Sequence, residues 1–189
     1  DKMNPRRVYG GVLACLWMMS GILYAQVVSS DPSFPTEEDL VTIYFDATQG
    51  TGGLKDFTGE VYAHTGVLTD SSRSSTDWRY VKTNWGENSE ETRMTRIEAN
   101  TYSLEITPSV RQYYGVPLTE QITHLAFVFR SSDSQLEGKE EGGEDIFIGV
   151  FEEGLKVQIL QPSGFMLIQP GDSVTIESVS SVVSSMSLF

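Results

Sequence analysis

The sequence predicts an all-β protein: an immunoglobulin-like β-sandwich followed by an incomplete second β-sandwich. Three observations carry this. Apolar residues alternate with a period of two in four separate stretches, the period of a strand with one face buried. Clusters of Gly, Ser, Asn and Asp punctuate those stretches. One short stretch, Ser109–Tyr114, carries a helical signal, after Pro108 and before Gly115 and Pro117. With 189 residues, 39% hydrophobic and 21% charged, the chain has room for one ordinary domain and part of another.

The elements follow in order. Residues 1–25 read as a signal peptide starting at Met3. Arg6 and Arg7 form a basic start, Val12–Met19 is the most apolar part, and Leu23-Tyr24-Ala25 ends on a small residue, placing cleavage before Gln26. A membrane anchor is the competing reading, because the uncharged stretch from Val8 to Ala25 is just long enough to span. A lipoprotein signal ending at Cys15 leaves too few apolar residues after Arg7. Residues 26–39, polar and carrying Pro32 and Pro35, read as a linker.

The sandwich is expected over residues 40–152. Val41, Ile43 and Phe45 alternate with Thr42 and Tyr44. Arg93–Glu98 and Thr101–Ile106 flank a short turn and predict a hairpin. Leu125, Phe127 and Phe129 alternate with Ala126 and Val128; apolar on both sides, this run predicts a central strand. Ile146, Ile148 and Val150 close the series. Residues 155–189 predict strands at Lys156–Leu160, Phe165–Ile168, Ser173–Val179 and Met186–Phe189, with a turn at Gly171-Asp172. About 35 residues cannot cover their own apolar faces, so this part reads as an unfinished immunoglobulin-like module and the chain as the N-terminal piece of a longer protein.

Charge and composition exclude several function classes. Lys plus Arg is 13 against 26 for Asp plus Glu, a net charge of −13 with no segregated basic patch, which argues against nucleic-acid binding. One cysteine, Cys15, forms no intramolecular disulfide and no thiolate zinc site. Two histidines, His64 and His124, argue against a multi-histidine metal centre; His124, within an apolar strand, reads as a satisfied core or interface residue. Neither a metal nor a cofactor is expected. Gly50-Thr51-Gly52-Gly53 is not followed by the Lys-Ser/Thr of a phosphate loop. Glu137–Asp145 is acidic but lacks EF-hand spacing, and reads as a solvated hairpin tip. No G-x-S-x-G occurs, and the chain as a whole reads as a binder rather than a catalyst.

The chemistry-bearing stretch is Val61–Trp85. It gathers His64, Trp78, Tyr80, Lys82, Asn84 and Trp85, with Asp77, in a Ser/Thr-rich setting. Core tryptophans usually sit among Val, Ile and Leu, and these do not. A flat indole offers dispersion contact to the C–H face of a sugar, while neighbouring amides and charges bind hydroxyls, a combination suited to a neutral saccharide. The competing reading places one indole in the core and the other at a sandwich edge.

The runs VTIYFD, GEVYAHTGV, DWRYVKTNWGEN and LAFVFRSSDSQLEGKEEGGEDIFI resemble the N-terminal β-sandwich of secreted bacterial α-amylase-type glycoside hydrolases. The layout is also similar to that of starch-binding modules of carbohydrate-binding families 25 and 26: a V-Y-x-H strand, a tryptophan loop, an apolar strand, then a Gly-rich hairpin. The resemblance covers residues 40–151. It implies α-glucan binding, with His64 and Trp78 at the aromatic platform; Trp85 departs from the pattern, whose last platform residue comes later. It also implies an appended C-terminal catalytic domain of the same chain. Two functions of different class follow as expectations: a secreted, non-catalytic α-glucan-binding region of a multidomain hydrolase, or an immunoglobulin-like spacer of a surface protein with its tryptophans buried.

Overall fold

The computed structural model describes residues 26–161, 173, 174 and 176–181. Residues 1–25, read as a signal peptide, lie outside them, as do the strands expected at Phe165–Ile168 and Met186–Phe189. Two antiparallel sheets face each other. The first has the order β1-β2-β5-β4, made of β1 (Val28–Asp31), β2 (Val41–Asp46), β4 (Thr95–Glu98) and β5 (Thr101–Ile106). The second pairs β3 (Val61–Thr69) with β6 (Ile122–Ser131), whose other edge is shared by β7 (Glu137–Gly138) and β8 (Ile146–Gly149).

Alternation decides which residues meet between the sheets. Val41, Ile43 and Phe45 of β2 and Tyr102, Leu104 and Ile106 of β5 face Val61, Ala63 and Val67 of β3 and Leu125, Phe127 and Phe129 of β6. The rings of Phe45 and Phe129 stack with centroids 4.0 Å apart and join the two layers. The predicted helical turn is α1 (Val110–Tyr114). Ser109 caps it by accepting the Gln112 N–H, and Gly115 ends it at φ 72°, a left-handed conformation suited to glycine. Its last residue, Tyr114, meets the buried Thr65 hydroxyl at 2.7 Å, and burial raises the phenol pKa.

The expected linker at 26–39 is corrected. Val28–Asp31 pairs with β2 from Val28↔Phe45 to Asp31↔Thr42, and Val27, Val28 and Phe34 are buried. A strand paired on one side only exposes its other edge, so Ser29, Ser30 and Asp31 are tolerated and Pro32 ends it. That polarity is what made an edge strand look like a linker. The strand expected at Lys156–Leu160 is β9 (Val157–Gln161). The one at Ser173–Val179 is shorter and shifted, as β10 (Glu177–Ser180), which pairs antiparallel with β9.

The second sheet departs from a simple two-layer sandwich. Its outer face, which water would ordinarily cover, buries Tyr62, Ala126, Val128 and Arg130. The cover is the long connection from β3 to β4. It also seals the free edge of β3: Arg79 and Val67 exchange N–H···O bonds of 2.8 and 2.9 Å, and Lys82 and Met94 N–H groups donate to Thr65 and Val61 carbonyls at 2.9 and 2.8 Å. Gly66 lets this strap cross closely, because a Cβ there would lie 3.0 Å from both the Arg79 carbonyl oxygen and Val81 Cγ2.

Candidate functional site

On this outer face a row of five rings assembles. His64 projects outward from β3, the alternate side from Ala63 and Thr65. The Trp78 indole stacks on it with centroids 5.7 Å apart and planes 24° apart, and Trp85 meets it edge-to-face at 5.1 Å and 81°. Trp78 in turn contacts Phe147 of β8 at 6.3 Å, and Phe147 contacts His124 of β6 at the same separation. Three strands and the strap therefore bring together residues spread over more than eighty positions.

Each tryptophan is held differently. The loop before Trp78 is braced by Asp77, whose carboxylate accepts the Arg73 N–H at 2.9 Å, while the indole N–H donates to the Ser75 carbonyl at 3.0 Å. Trp78 is half-buried between His64 and Phe147. Trp85 sits at the tip of a turn closed by Glu87 N–H to Asn84 carbonyl, 3.1 Å, with Gly86 at φ 83°, where the turn requires a positive angle. The Glu87 carboxylate reaches back to the Asn84 backbone N–H and side-chain amide at 3.0 and 3.2 Å. Trp85 is 48% exposed. Beside it lies a shallow cavity of about 380 Å³ lined by His64, Val81, Lys82, Thr83, Asn84, Trp85 and Glu87.

The His64 imidazole pKa is lowered, first by burial and then by the Arg130 charge, against a smaller opposing pull from Asp145. The lowering favours the neutral ring, and among the described residues its buried Nδ1 has no hydrogen-bond partner. His64 packs uncharged between two indoles, one stacked on its face and one edge-on, and the exposed Trp85 indole is the flat surface left to solvent. Such a surface can take the C–H face of a sugar by dispersion, with Asn84 and Glu87 at its rim for hydroxyls.

Of the six residues singled out in the sequence, five border this surface: His64, Trp78, Asn84, Trp85 and, as part of the cavity wall, Lys82. Tyr80 does not join it. Tyr80, at φ 51°, turns back toward the sandwich core, and its hydroxyl donates to Glu120 at 2.8 Å. That hydrogen bond, with another from Thr69 and the nearby Arg79 cation, lowers the Glu120 pKa against a small opposing effect of burial. The Lys82 ammonium donates to the Tyr113 carbonyl at 2.7 Å, pairs with Glu91 at 3.0 Å and lies 4.6 Å from the Tyr113 ring centroid. The strap is irregular, so Trp78 and Tyr80, two positions apart, point different ways, which their composition could not reveal.

The core half of the His124 reading is also corrected: the residue is exposed on the outer face. The acidic loop at Glu137–Asp145 folds around Lys139, 3.8 Å from Glu137 and 3.3 Å from Asp145, consistent with a hairpin tip. Sequence reasoning missed Phe147 and Arg130. Both carried a signal. Phe147 is the outward residue of Ile146-Phe147-Ile148, and Arg130 is the lone charge in an apolar strand.

Residues 28–137 match the family described as a domain of unknown function, DUF8578. The chain belongs to the DUF8578 family. No curated protein matches it. The DUF8578 match begins at the first residue of β1, in agreement with the placement of that strand in the sandwich. It contains His64, Trp78, Asn84, Trp85 and Arg130, and it ends before Phe147.

Proposed function

We propose that this DUF8578 domain is a non-catalytic carbohydrate-binding module that holds a neutral α-glucan on the His64–Trp78–Trp85 surface. One observation carries the reading: these three rings assemble on the solvent side of the second sheet, and Trp85 is 48% exposed at the tip of a braced turn. Sugar faces stack by dispersion on such rings, and Asn84 and Glu87 supply hydrogen-bonding groups at the rim. The net charge of −13 does not oppose a ligand without charge. In the parent protein, exported by the N-terminal signal, the module tethers an α-amylase-type catalytic domain to starch-like polymer. The spacer alternative needs both indoles buried, which the exposure of Trp85 disfavours.

The test is affinity electrophoresis of the full chain through gels containing amylopectin, against gels without polymer. Retardation that soluble amylose competes away, and that is nearly insensitive to salt, is the expected result. Equal mobility in both gels would return the domain to the spacer reading.

A further inference from the structure

Arg130 is the least expected residue on the outer face of the second sheet. It is 1% exposed, and no carboxylate pairs with it among the described residues. Its guanidinium donates to the Glu87 carbonyl, to the Asn88 side-chain oxygen at 2.9 Å and to the Ser131 carbonyl at 3.1 Å. It lies 5.4 Å from the Tyr62 ring centroid, while its buried Nε has no hydrogen-bond partner among the described residues. Asn88 also donates to the Ser132 carbonyl at 3.1 Å. Two of the four groups that satisfy the cation therefore belong to Glu87, the last residue of the Trp85 turn, and to Asn88 beside it.

Such a residue works against the fold. A cation removed from water without a carboxylate partner loses hydration that neutral acceptors and a ring only partly replace, and an apolar side chain of similar volume is often neutral or stabilising in its place. The surroundings suit an apolar replacement, because Val128 and Tyr62 flank the site on β6 and β3. Glu87 and Asn88 are exposed, so water can take over their freed acceptors, and the Ser131 carbonyl, on a buried residue, is the one acceptor left to the interior. What an apolar side chain could not do is grip the turn. A planar fork fixes two acceptors at once, in distance and in orientation.

The geometry points to Arg130 as the positioning residue of the binding surface: it holds the Asn84–Asn88 turn against the sheet and so presents the Trp85 indole at its angle to His64. This inference rests on the sugar-binding reading for its purpose, but its structural claim is tested without ligand. Preorganisation is the physical gain, since a turn already fixed loses less freedom when a ligand docks.

The test compares full-length wild type, Arg130→Met and Asn88→Ala. Each is labelled with 5-fluorotryptophan for fluorine NMR, with resonances assigned by Trp→Phe variants, then melted thermally and run through amylopectin gels. Arg130→Met is expected to melt at or above the wild-type temperature while its Trp85 resonance moves toward the free-indole position. Its retardation should weaken about tenfold, the low end of losing one stacking platform. The His64 imidazole should titrate at higher pH, having lost a neighbouring cation. Asn88→Ala, at an exposed position, should shift the same Trp85 resonance less far and lower the melt slightly, because the buried guanidinium loses one acceptor. An unmoved Trp85 resonance in both variants overturns the inference. So does an Arg130→Met protein that melts far lower, since the arginine then serves the fold. A wild type that amylopectin does not retard defeats the sugar reading alone, and the Trp85 resonance still judges Arg130.

Discussion

Trp85→Ala separates binding from folding most cleanly. A tryptophan buries about 200 Å² in a packed interior. Trp85 remains 48% exposed, so truncation removes about half of that burial. At about 25 cal/mol per Å² this sets an upper limit of about 2.5 kcal/mol. The indole caps an open turn rather than filling an enclosed core, so no closed cavity remains, and the expected loss is about 1 kcal/mol, or about 4 °C in melting temperature. Binding should fall much further. By analogy with nucleobases on aromatic platforms, one lost stacking contact is worth about 1–3 kcal/mol, or about five- to 150-fold in affinity. Affinity electrophoresis in amylopectin paired with thermal melts measures both quantities on the same protein. A variant retarded as strongly as wild type would refute the placement of Trp85 on the ligand surface. A melt lowered by more than about 3 kcal/mol would show an indole working as core.

Further outcomes follow from the same geometry. Trp78→Ala should weaken retardation and also lower the melting temperature more than Trp85→Ala, by about 2 kcal/mol, because Trp78 is packed between His64 and Phe147. Phe45→Ala, which removes a fully buried ring stacked on Phe129, should cost about 3–5 kcal/mol and be read by urea unfolding. The lowered His64 pKa makes a pH prediction. Below the ordinary value of 6.5 the unfolded chain takes up a proton that the folded His64 refuses, so its contribution is present above that pH and is lost as pH falls. The stability difference between wild type and His64→Gln, measured by urea melts from pH 8 to 5, should therefore move against wild type as pH drops. A difference constant across that range would contradict a neutral, buried imidazole.

The sandwich was legible because its signals are local. Val41-Thr42-Ile43-Tyr44-Phe45 alternates because successive side chains in a strand leave on opposite faces, whatever the rest of the chain does. The hairpin of β4 and β5 and the capped turn of α1 were equally readable, each specified by its own residues and the turn beside it. The apolar doubling of Leu125–Phe129 was also read correctly as a buried central strand, but not its cause. Ala126 and Val128 are covered by the strap that arrives from β3, some forty residues earlier in the chain.

The ring surface was half legible. Tryptophans in a Ser/Thr-rich stretch marked the strap as unusual, and His64 followed from its outward position on β3. Which strap residues would stay with them was a tertiary decision. An irregular segment has no period linking position to face, so Tyr80 looked equivalent to Trp78 and Asn84 until Glu120 claimed its hydroxyl, and Lys82 borders the cavity while Tyr113 and Glu91 hold its ammonium. Phe147 and Arg130 joined for the converse reason. Strand pairing across β3, β6 and β8 sets them on the same outer face as His64, and no local pattern encodes which distant strand becomes a neighbour. The sequence alone determined an acidic, all-β chain with aromatics outside its apolar pattern, because composition and periodicity are properties of the chain itself. Only the tertiary structure decided which rings meet and how they are held, because those contacts are made between segments that the chain keeps far apart.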